Sequence, residues 1–281
     1  MLKIFSKIVK NLRQTEGNPY FCASNNTIVK LTFLGTGTSQ GVPVVACQCP
    51  VCLSKNQKDK RLRASVMIET DGQRLVVDAG PDFRQQMLEH RVHHLNGILL
   101  THEHVDHIFG LDDIRAFNWV QKQATDIYAE ERVQIAIKRI FDYVFANFKY
   151  PGIPQMHLHL IENKLFTIGN LEILPIRGLH YKLPVFGFRF EKIAYVTDVN
   201  RLEEAELDKL RGLDVLVLNA LRKEEHISHY SLPQALEVIA GLKPKKAYLT
   251  HLSHQMGFHD EVQQELPENV FLAYDGLEIE V

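Results

Sequence analysis

The sequence has no long apolar run. None of its 281 residues falls in a stretch approaching the ~20 apolar residues that a membrane-spanning helix needs. The opening residues, MLKIFSK, alternate lysine with apolar side chains and lack the apolar core and small-residue cleavage site of a signal peptide. We therefore expect no membrane partner and a cytoplasmic location.

The chain also lacks a charge excess and a disulfide framework. A formal net charge of −2 gives no general attraction for nucleic acid, which argues against a nucleic-acid partner. Three of the four cysteines lie between Cys47 and Cys52, unlike the spacing of a disulfide scaffold, and the isolated Cys22 has no evident role. With 45% apolar residues, the chain can bury a full core.

A complete glycine motif for binding phosphate is missing as well. The loop GTGTSQG at 35–41 contains GxG but not the full dinucleotide spacing. A tight turn that brings backbone close to a site is the better interpretation.

The sequence does contain a dense cluster of potential metal ligands. Residues 101–110 read THEHVDHIFG, which places His102, His104, Asp106 and His107 directly after the apolar run 97–100. A short apolar run that ends in polar residues predicts a buried strand that stops at its ligands. Imidazole and carboxylate without thiolate favour Zn, Mn or Fe over Cu(I) or an iron–sulfur cluster.

This H-x-H-x-D-H pattern resembles the signature of the metallo-β-lactamase superfamily. Three further residues, His180, Asp198 and His251, each follow a strand-like run, as His102 does. The resemblance implies that His102, His104 and His180 bind one metal, that Asp106, His107 and His251 bind a second, and that Asp198 bridges the two. Asp78, at the end of its own strand, is expected to orient a ligand rather than to bind metal.

A bridging carboxylate at Asp198 has consequences for the reaction. The superfamily members that open β-lactams have a thiolate there, whereas its phosphodiesterases, nucleases and thioesterases have a carboxylate. Two cations ~3.5–4 Å apart, Zn or Mn, can share a bridging hydroxide and clamp phosphoryl oxygens. Asp106, as a ligand of one of these cations, is predicted to be both a metal-binding and a catalytic residue.

A separate, structural metal site is predicted at Cys47, Cys49 and Cys52, which form a C-x-C-x₂-C loop. A structural zinc needs four ligands, and His254, three residues after His251, is the candidate for the fourth. Such a zinc would hold His251 in place. The alternative is a set of reduced, unliganded cysteines beside a free His254.

Together with the loop at 35–43 and the THLSHQ motif at 250–255, these features resemble a narrower family, the PhnP-type phosphodiesterases. Those enzymes act with carbon–phosphorus lyase and hydrolyse cyclic ribosyl phosphates. The resemblance implies an α/β (α+β) fold, a four-layer αββα metallo-β-lactamase sandwich, over a single domain at 29–281. It suggests a homodimer, and it explains neither the N-terminal extension at 1–28 nor the helical stretch at 130–148.

An alkoxide leaving group needs a proton, so a histidine near the metals is expected. The segment EEHISHYS at 224–231 precedes a predicted helix and offers two candidates. By its distance to that helix, His229 is preferred over His226.

The leading function is hydrolysis of a small, cyclic or nucleotide-like phosphate diester. A tRNA 3′-end endonuclease would share the metal pattern but carries a long Gly/Pro-rich arm that is missing here. A non-catalytic metal-binding scaffold would be expected to have lost ligands, and a glyoxalase-type thioesterase would need a helical substrate domain after His251.

Several local expectations complete the interpretation. Helices are predicted at 111–123 and 130–148, and a closing β-hairpin at 269–274 and 277–281 around Asp275-Gly276. His157 and His159 should lie on the exposed face of a strand. A solvated basic face, rather than a phosphate site, is expected for Lys55, Lys58, Lys60, Arg61 and Arg63. The two halves of the chain repeat one plan of hairpins and helices before a strand that ends in histidine.

Overall fold

The computed structural model describes residues 28–70, 72–147 and 150–281. The expected apolar face at Ile4, Ile8 and Leu12 and the unassigned Cys22 lie outside the described residues. So does Asp71 in the turn of the first hairpin.

The regular secondary structure of the described residues consists of strands and short helices. The strands are β1 (Lys30–Gly35), β2 (Ser65–Thr70), β3 (Gln73–Val77), β4 (Gly97–Leu99), β5 (Thr125–Ala129), β6 (Met156–Leu160), β7 (Phe166–Ile168), β8 (Leu171–His180), β9 (Leu183–Phe190), β10 (Ile193–Val196), β11 (Arg201–Leu202), β12 (Val215–Asn219), β13 (Lys246–Thr250), β14 (Val270–Leu272) and β15 (Glu278–Glu280). The α-helices are α1 (Pro50–Leu53), α2 (Phe83–Glu89), α3 (Val105–Ile108), α4 (Arg115–Gln121), α5 (Glu131–Ile140), α6 (Asp142–Phe145), α7 (Glu204–Lys209), α8 (Leu232–Leu242) and α9 (His259–Glu265).

The strands form two sheets with the same internal order. In the first, β1, β2 and β3 form an antiparallel meander, and β4, β5 and β6 continue it in parallel. In the second, β8, β9 and β10 are antiparallel, and β12, β13 and β14 continue in parallel. The internal repeat predicted from the sequence is therefore present in the topology.

Three apolar cores separate four layers. Phe33, Phe188 and Val217 belong to the core between the two sheets. The outer face of the first sheet packs against α2 to α6 with its own core, which includes Ile98, and the outer face of the second packs against α7 to α9 with a core that includes Leu216. Neighbouring residues of a strand point to opposite faces, and consecutive residues of these strands are buried. Both faces of the strands are therefore covered. The predicted αββα sandwich is confirmed.

The predicted closing hairpin is wrong, because its two strands belong to different sheets. β14 runs parallel to β13 in the second sheet, whereas β15 pairs with β1 in the first. The Asp-Gly pair makes a turn, but Asp275 is anchored to the first sheet's loops: its carboxylate accepts hydrogen bonds from Thr36 Oγ1 and from the amide of Leu62, both at 2.6 Å. Burial raises the pKa of Asp275 to about 6.

The two predicted helices are interrupted. The first begins as a 3₁₀ turn, Phe109–Ile114, and continues as α4 to Gln121, where Lys122 takes a left-handed conformation. The second is divided at Phe141 into α5 and α6, the latter ending at Phe145, and the expected end at Phe148 lies outside the described residues. Among the described residues, no helix combines the length and apolarity needed to cross a bilayer.

The basic segment after the cysteine loop is not a uniform solvated face. Arg61 is buried, and its guanidinium donates to Thr36 Oγ1 at 2.8 Å and to the carbonyl of Ala273 at 2.6 Å. Arg63 pairs with Asp82 at 2.9 Å. The prediction of a solvated face is therefore wrong for Arg61, which ties the segment to the second half of the chain.

His157 and His159 lie on the exposed face of β6, as expected, and both contact the carboxylate of Asp126.

Candidate metal centre

The candidate ligands and the orienting residue Asp78 lie at or just after the carboxyl ends of strands in both sheets. Asp78 follows β3 and Asp198 follows β10, the third strand of the repeated order in each sheet. His251 follows β13. This strand lies two positions beyond β10 in the second sheet and runs parallel to it. Because the ends of parallel strands meet at one edge of a sheet, residues far apart in the chain reach a common site.

Three of these strand ends have a strained backbone. Asp78, Asp198 and His251 have φ angles of 67°, 58° and 57°, in the left-handed region that side chains with a Cβ rarely adopt. Such conformations cost of order 1 kcal/mol each and persist where surrounding contacts fix them.

The structure brings all seven candidate ligands together. His102 Nε2 lies 3.0 Å from His104 Nδ1, and these two histidines form one group with His180. His107 Nε2 lies 3.1 Å from Asp106 Oδ2, and Asp106 forms a second group with Asp198 and His251.

Asp198 lies close to both groups, with a ligand oxygen within 4.8 Å of ligand nitrogens of His102 and His180 in the first. Its Oδ2 is 3.1 Å from His251 Nδ1 and 3.4 Å from His107 Nε2. These separations match the distances between neighbouring ligands of one cation whose bonds are each about 2.0–2.2 Å long.

A buried hydrogen-bonded chain orients two histidines of the centre, His107 and His102. Asp78 accepts from His107 Nδ1 at 2.7 Å and from Thr101 Oγ1 at 2.9 Å. Thr101 Oγ1 in turn lies 2.9 Å from His102 Nδ1, whose N–H can donate to it. Asp78 therefore fixes both imidazoles with Nε2 directed into the centre, which is the orienting role expected from the sequence.

His180 is oriented in the same manner by a backbone group. Its Nδ1 lies 2.8 Å from the carbonyl oxygen of Ser228 and can only donate there. This contact leaves Nε2 as the atom available for a cation.

The buried donor set fits divalent cations. His107 Nε2 and His251 Nδ1 are both buried and neither has a hydrogen-bond partner, although carboxylate oxygens lie close by. Burial would raise the pKa of Asp198, but His251 and His107 outweigh it and hold the pKa well below its ordinary value. Burial lowers the pKa of His251 to about 4, so this imidazole is neutral and has a lone pair to share at neutral pH.

His229 lies against the centre, and His226 lies behind it. His229 Nε2 is 3.1 Å from Asp198 Oδ1, the carboxylate oxygen that faces away from His251. His226 does not reach Asp198; its Nδ1 lies 3.3 Å from His229 Nδ1 and 3.2 Å from Ser228 Oγ. Of the two histidines that the sequence offered, only His229 contacts a candidate ligand in the described residues.

The three clustered cysteines and His254 also converge. Nδ1 of His254 lies 3.3 Å from Cys47 Sγ, 3.3 Å from Cys49 Sγ and 3.4 Å from Cys52 Sγ. Cys49 accepts from the amide of Cys52 at the start of α1, and this hydrogen bond is the main reason why the pKa of Cys49 falls to about 6. Three sulfurs and one imidazole nitrogen at these distances fit a closed tetrahedral zinc site.

The sequence interpretation missed several supporting residues. Thr101 and Thr197 each directly precede a candidate ligand, and Thr197 Oγ1 donates to Asp198 Oδ2 at 2.7 Å. Their place at a strand end was the available signal. No signal in the sequence marked Arg132 of α5. It pairs with Glu103, inside the H-x-H motif, and donates to the carbonyl of Pro184.

Comparison with known proteins agrees with this geometry. The model of a family described as "Beta-lactamase superfamily domain" matches residues 73–252, more than half of the chain. The chain belongs to the metallo-β-lactamase superfamily. Within this superfamily it is of the PhnP type: a crystal structure titled as a new diphosphatase from the PhnP family is 36% identical, with a TM-score of 0.85 over 90% of this chain and 97% of the other.

Two further relatives of this metallo-β-lactamase protein are similar over only part of their length or only in fold. An octanoyltransferase of Porphyromonas gingivalis is 39% identical over 89% of this chain, but this chain spans only 51% of that protein. Human tRNase Z, short form, is 23% identical with a TM-score of 0.62, over 89% of this chain and 98% of the other, which shows a shared fold alone.

Proposed function

We propose that this protein is a dinuclear-metal phosphodiesterase that hydrolyses small phosphate diesters, cyclic or nucleotide-like. The observation that carries the proposal is that the carboxylate of Asp198 reaches both groups. It lies next to His251 and His107 of the second group, and a ligand oxygen of Asp198 lies within 4.8 Å of ligand nitrogens of His102 and His180 of the first. A carboxylate in this position can be shared by two cations, as the resemblance to the superfamily's phosphodiesterases implies.

Each group would hold one cation. The first consists of His102, His104 and His180, the second of Asp106, His107 and His251, and Asp198 belongs to both. When bound, the two cations, Zn or Mn, would activate a water molecule and neutralise charge on the phosphoryl oxygens.

The protein's own residues would orient and protonate. Asp78 and Thr101 hold two imidazoles in the tautomer that directs Nε2 inward. His229, which contacts Asp198 Oδ1 and lies 3.0 Å from Ser228 Oγ, would give a proton to the departing alkoxide. His226 lies on the far side of His229 and would not touch the substrate.

The substrate would enter from the side of the first group. His104 is exposed and His180 is half-buried, whereas Asp198, His107 and His251 are buried. The opening over His104 and His180 is a cleft of about 440 Å³, a volume within the range of small-molecule sites.

The cysteine cluster would bind a structural zinc. His254 follows His251 by three residues, so a cation held by His254 and the cysteines would fix the segment that carries His251. The bridge of Gly37 to Leu252 joins the same segment to the glycine loop.

A second candidate reaction is cleavage of a diphosphate. It is supported by the PhnP-family diphosphatase, which is 36% identical over most of both chains. Both reactions would place a phosphoryl group between the same residues, but the leaving group differs. A phosphate can leave without being protonated more readily than an alkoxide can.

The test is hydrolysis by metal-defined protein of bis(p-nitrophenyl) phosphate, a cyclic nucleotide, a nucleoside diphosphate and a precursor tRNA. We expect turnover of the two small diesters. Cleavage of the diphosphate with no diester turnover would favour the second candidate. Cleavage of the precursor tRNA alone would refute both.

The leaving group provides a sharper test of His229. H229A is expected to lower turnover of the cyclic nucleotide, which releases an alkoxide, by about 10²-fold or more. It should lower turnover of bis(p-nitrophenyl) phosphate much less, because nitrophenolate leaves unprotonated. H226A is the matched control, with little change on either substrate. Equal losses of H229A on both substrates would exclude His229 as the proton donor.

A further inference from the structure

An apolar groove lies between α2 and α4 on the outer face of the first sheet. Its volume is about 240 Å³, and its apolar lining consists of Phe83, Met87, Leu88, Val92, Phe117 and Val120. Phe83 and Phe117 are buried, with ring centroids 6.2 Å apart, whereas Leu88 and Val120 are 59% and 67% exposed. Exposed apolar side chains gathered around a groove mark a surface at which another element binds.

The charges at the groove do not select a strongly charged partner. Arg84 and Asp113 both line it, one of each sign, and neither forms an ion pair within 4.0 Å with a described residue. The occupant must therefore bring apolar side chains, with its polar groups at the margins of the contact.

The described chain begins beside this groove. Ile28 lines a neighbouring hollow together with His94 and Asn96. His94 directly follows Val92 and His93, which line the groove itself. Consecutive residues of one loop therefore join the two hollows, and the 27 residues that precede Ile28 in the sequence are tethered next to the groove.

The segment at 1–13, MLKIFSKIVKNLR, has an apolar pattern that suits such a groove. Ile4, Ile8 and Leu12 recur at every fourth position, with lysines between them. On a helix of 3.6 residues per turn, these three side chains would share one face and the lysines would lie outside it. Amphipathic helices that bind in apolar grooves use anchors at this spacing.

We propose that residues 3–13 dock as an amphipathic helix in the groove between α2 and α4 of the same chain. The 15 residues at 13–27 span up to about 50 Å when extended, so the tether does not restrict the fit. Because the tether keeps the segment at a high effective concentration, three apolar anchors suffice where a free peptide would bind weakly.

Docking would also support the loop that follows the H-x-H-x-D-H motif. Phe83, in the groove, packs closely against Gly110, three residues after His107. A helix that covers Leu88 and Val120 would therefore brace α2 and α4 against the segment that carries His107.

Hydrogen exchange of the full chain, measured by mass spectrometry without lipid, tests the docking. In the wild type, the amides of residues 4–13 are expected to exchange about tenfold or more slowly than in an unstructured peptide. I8D places a charge on the apolar face of the segment, and V120D places one in the groove. Each should return these amides to the unprotected rate, and the exposure of Val120 means that V120D does not disturb the core.

S6D and I135D are the matched controls. Ser6 falls outside the apolar face of the segment, and Ile135 is a 62% exposed isoleucine of α5 that does not line the groove. Both variants should keep the protection of the wild type.

Four outcomes would overturn the docking. Unprotected exchange of residues 4–13 in the wild type would show that the segment does not bind, and protection that survives both V120D and L88D would place it elsewhere. Protection that appears only at high protein concentration would assign the groove to a second copy. Protection that appears only with anionic vesicles would make the segment a membrane-binding helix.

Discussion

Replacement of Asp78 by asparagine tests how the metal centre is organised. The carboxylate of Asp78 accepts from His107 Nδ1 and Thr101 Oγ1, and through Thr101 it orients His102. In D78N one oxygen becomes an NH₂ group. Asparagine tolerates the φ of 67° as well as aspartate does, so the backbone conformation is preserved.

The expected loss follows from the number of donors. An NH₂ group placed against His107 Nδ1–H or the hydroxyl of Thr101 leaves one buried donor unsatisfied, at a cost of about 1–3 kcal/mol of stability. The alternative is that the imidazole moves its proton to Nε2, which removes the lone pair meant for the cation. Loss of such an orienting partner lowers metal affinity by about 10–100-fold.

The assay is zinc content by native mass spectrometry together with zinc affinity by chelator competition. We expect D78N to lose about one equivalent at limiting zinc and to keep the zinc at the cysteine site. D126N is the matched control, because Asp126 also faces a histidine, His159 at 2.8 Å, but on the surface. Zinc affinity of D78N within twofold of the wild type would show that Asp78 does not organise the centre.

Three further predictions concern the surrounding structure. C49S should remove one zinc equivalent and lower the thermal midpoint, as measured by metal analysis and calorimetry, and an unchanged zinc content would refute the structural site. G80A should cost about 1–3 kcal/mol in urea unfolding, because an added Cβ would lie 1.9 Å from a backbone oxygen of the ligand loop, whereas G241A has open space and should be neutral or stabilising. Burial lowers the pKa of His259 to about 4, below its ordinary 6.5, so the folded state binds fewer protons and the contribution of this group to stability should fall by about 1–2 kcal/mol as the pH drops from 6.5 to 4. H259N, which keeps an acceptor for Arg61, should flatten that dependence, and an unchanged slope would locate the titration elsewhere.

The order of strands and helices could be predicted where the local signal was complete. Residues 97–100 were predicted as a strand because an apolar run ends in a polar cluster that begins at Thr101 and His102, and the same logic placed Asp198 and His251 at strand ends. The repeated plan of the two halves was visible because in each half hairpins and helices precede a strand that ends in histidine. Helix boundaries were less accurate: the stretch at 130–148 has one continuous apolar pattern, yet the backbone breaks at Phe141.

The closing strands show where local reasoning fails. Asp275-Gly276 was a correct turn signal, but hairpin pairing was inferred from the turn alone. The anchors of Asp275 are Thr36 and the amide of Leu62, which are more than 200 residues away along the chain. The same holds for Arg61, whose charge predicted exposure and whose partners, Thr36 and Ala273, come together only in the fold.

The sequence by itself determined the chemical inventory of this protein: the histidines, carboxylates and thiols, their spacing, and the strand ends on which they lie. These features are local, because ligand identity and an apolar run that ends in polar residues are both contained within a few positions of the sequence. Only the tertiary structure decided that His229 rather than His226 reaches Asp198 and that Asp78 orients His102 and His107. Such relations depend on the packing of two sheets from distant segments, and burial and partners at that interface are properties of the assembled fold.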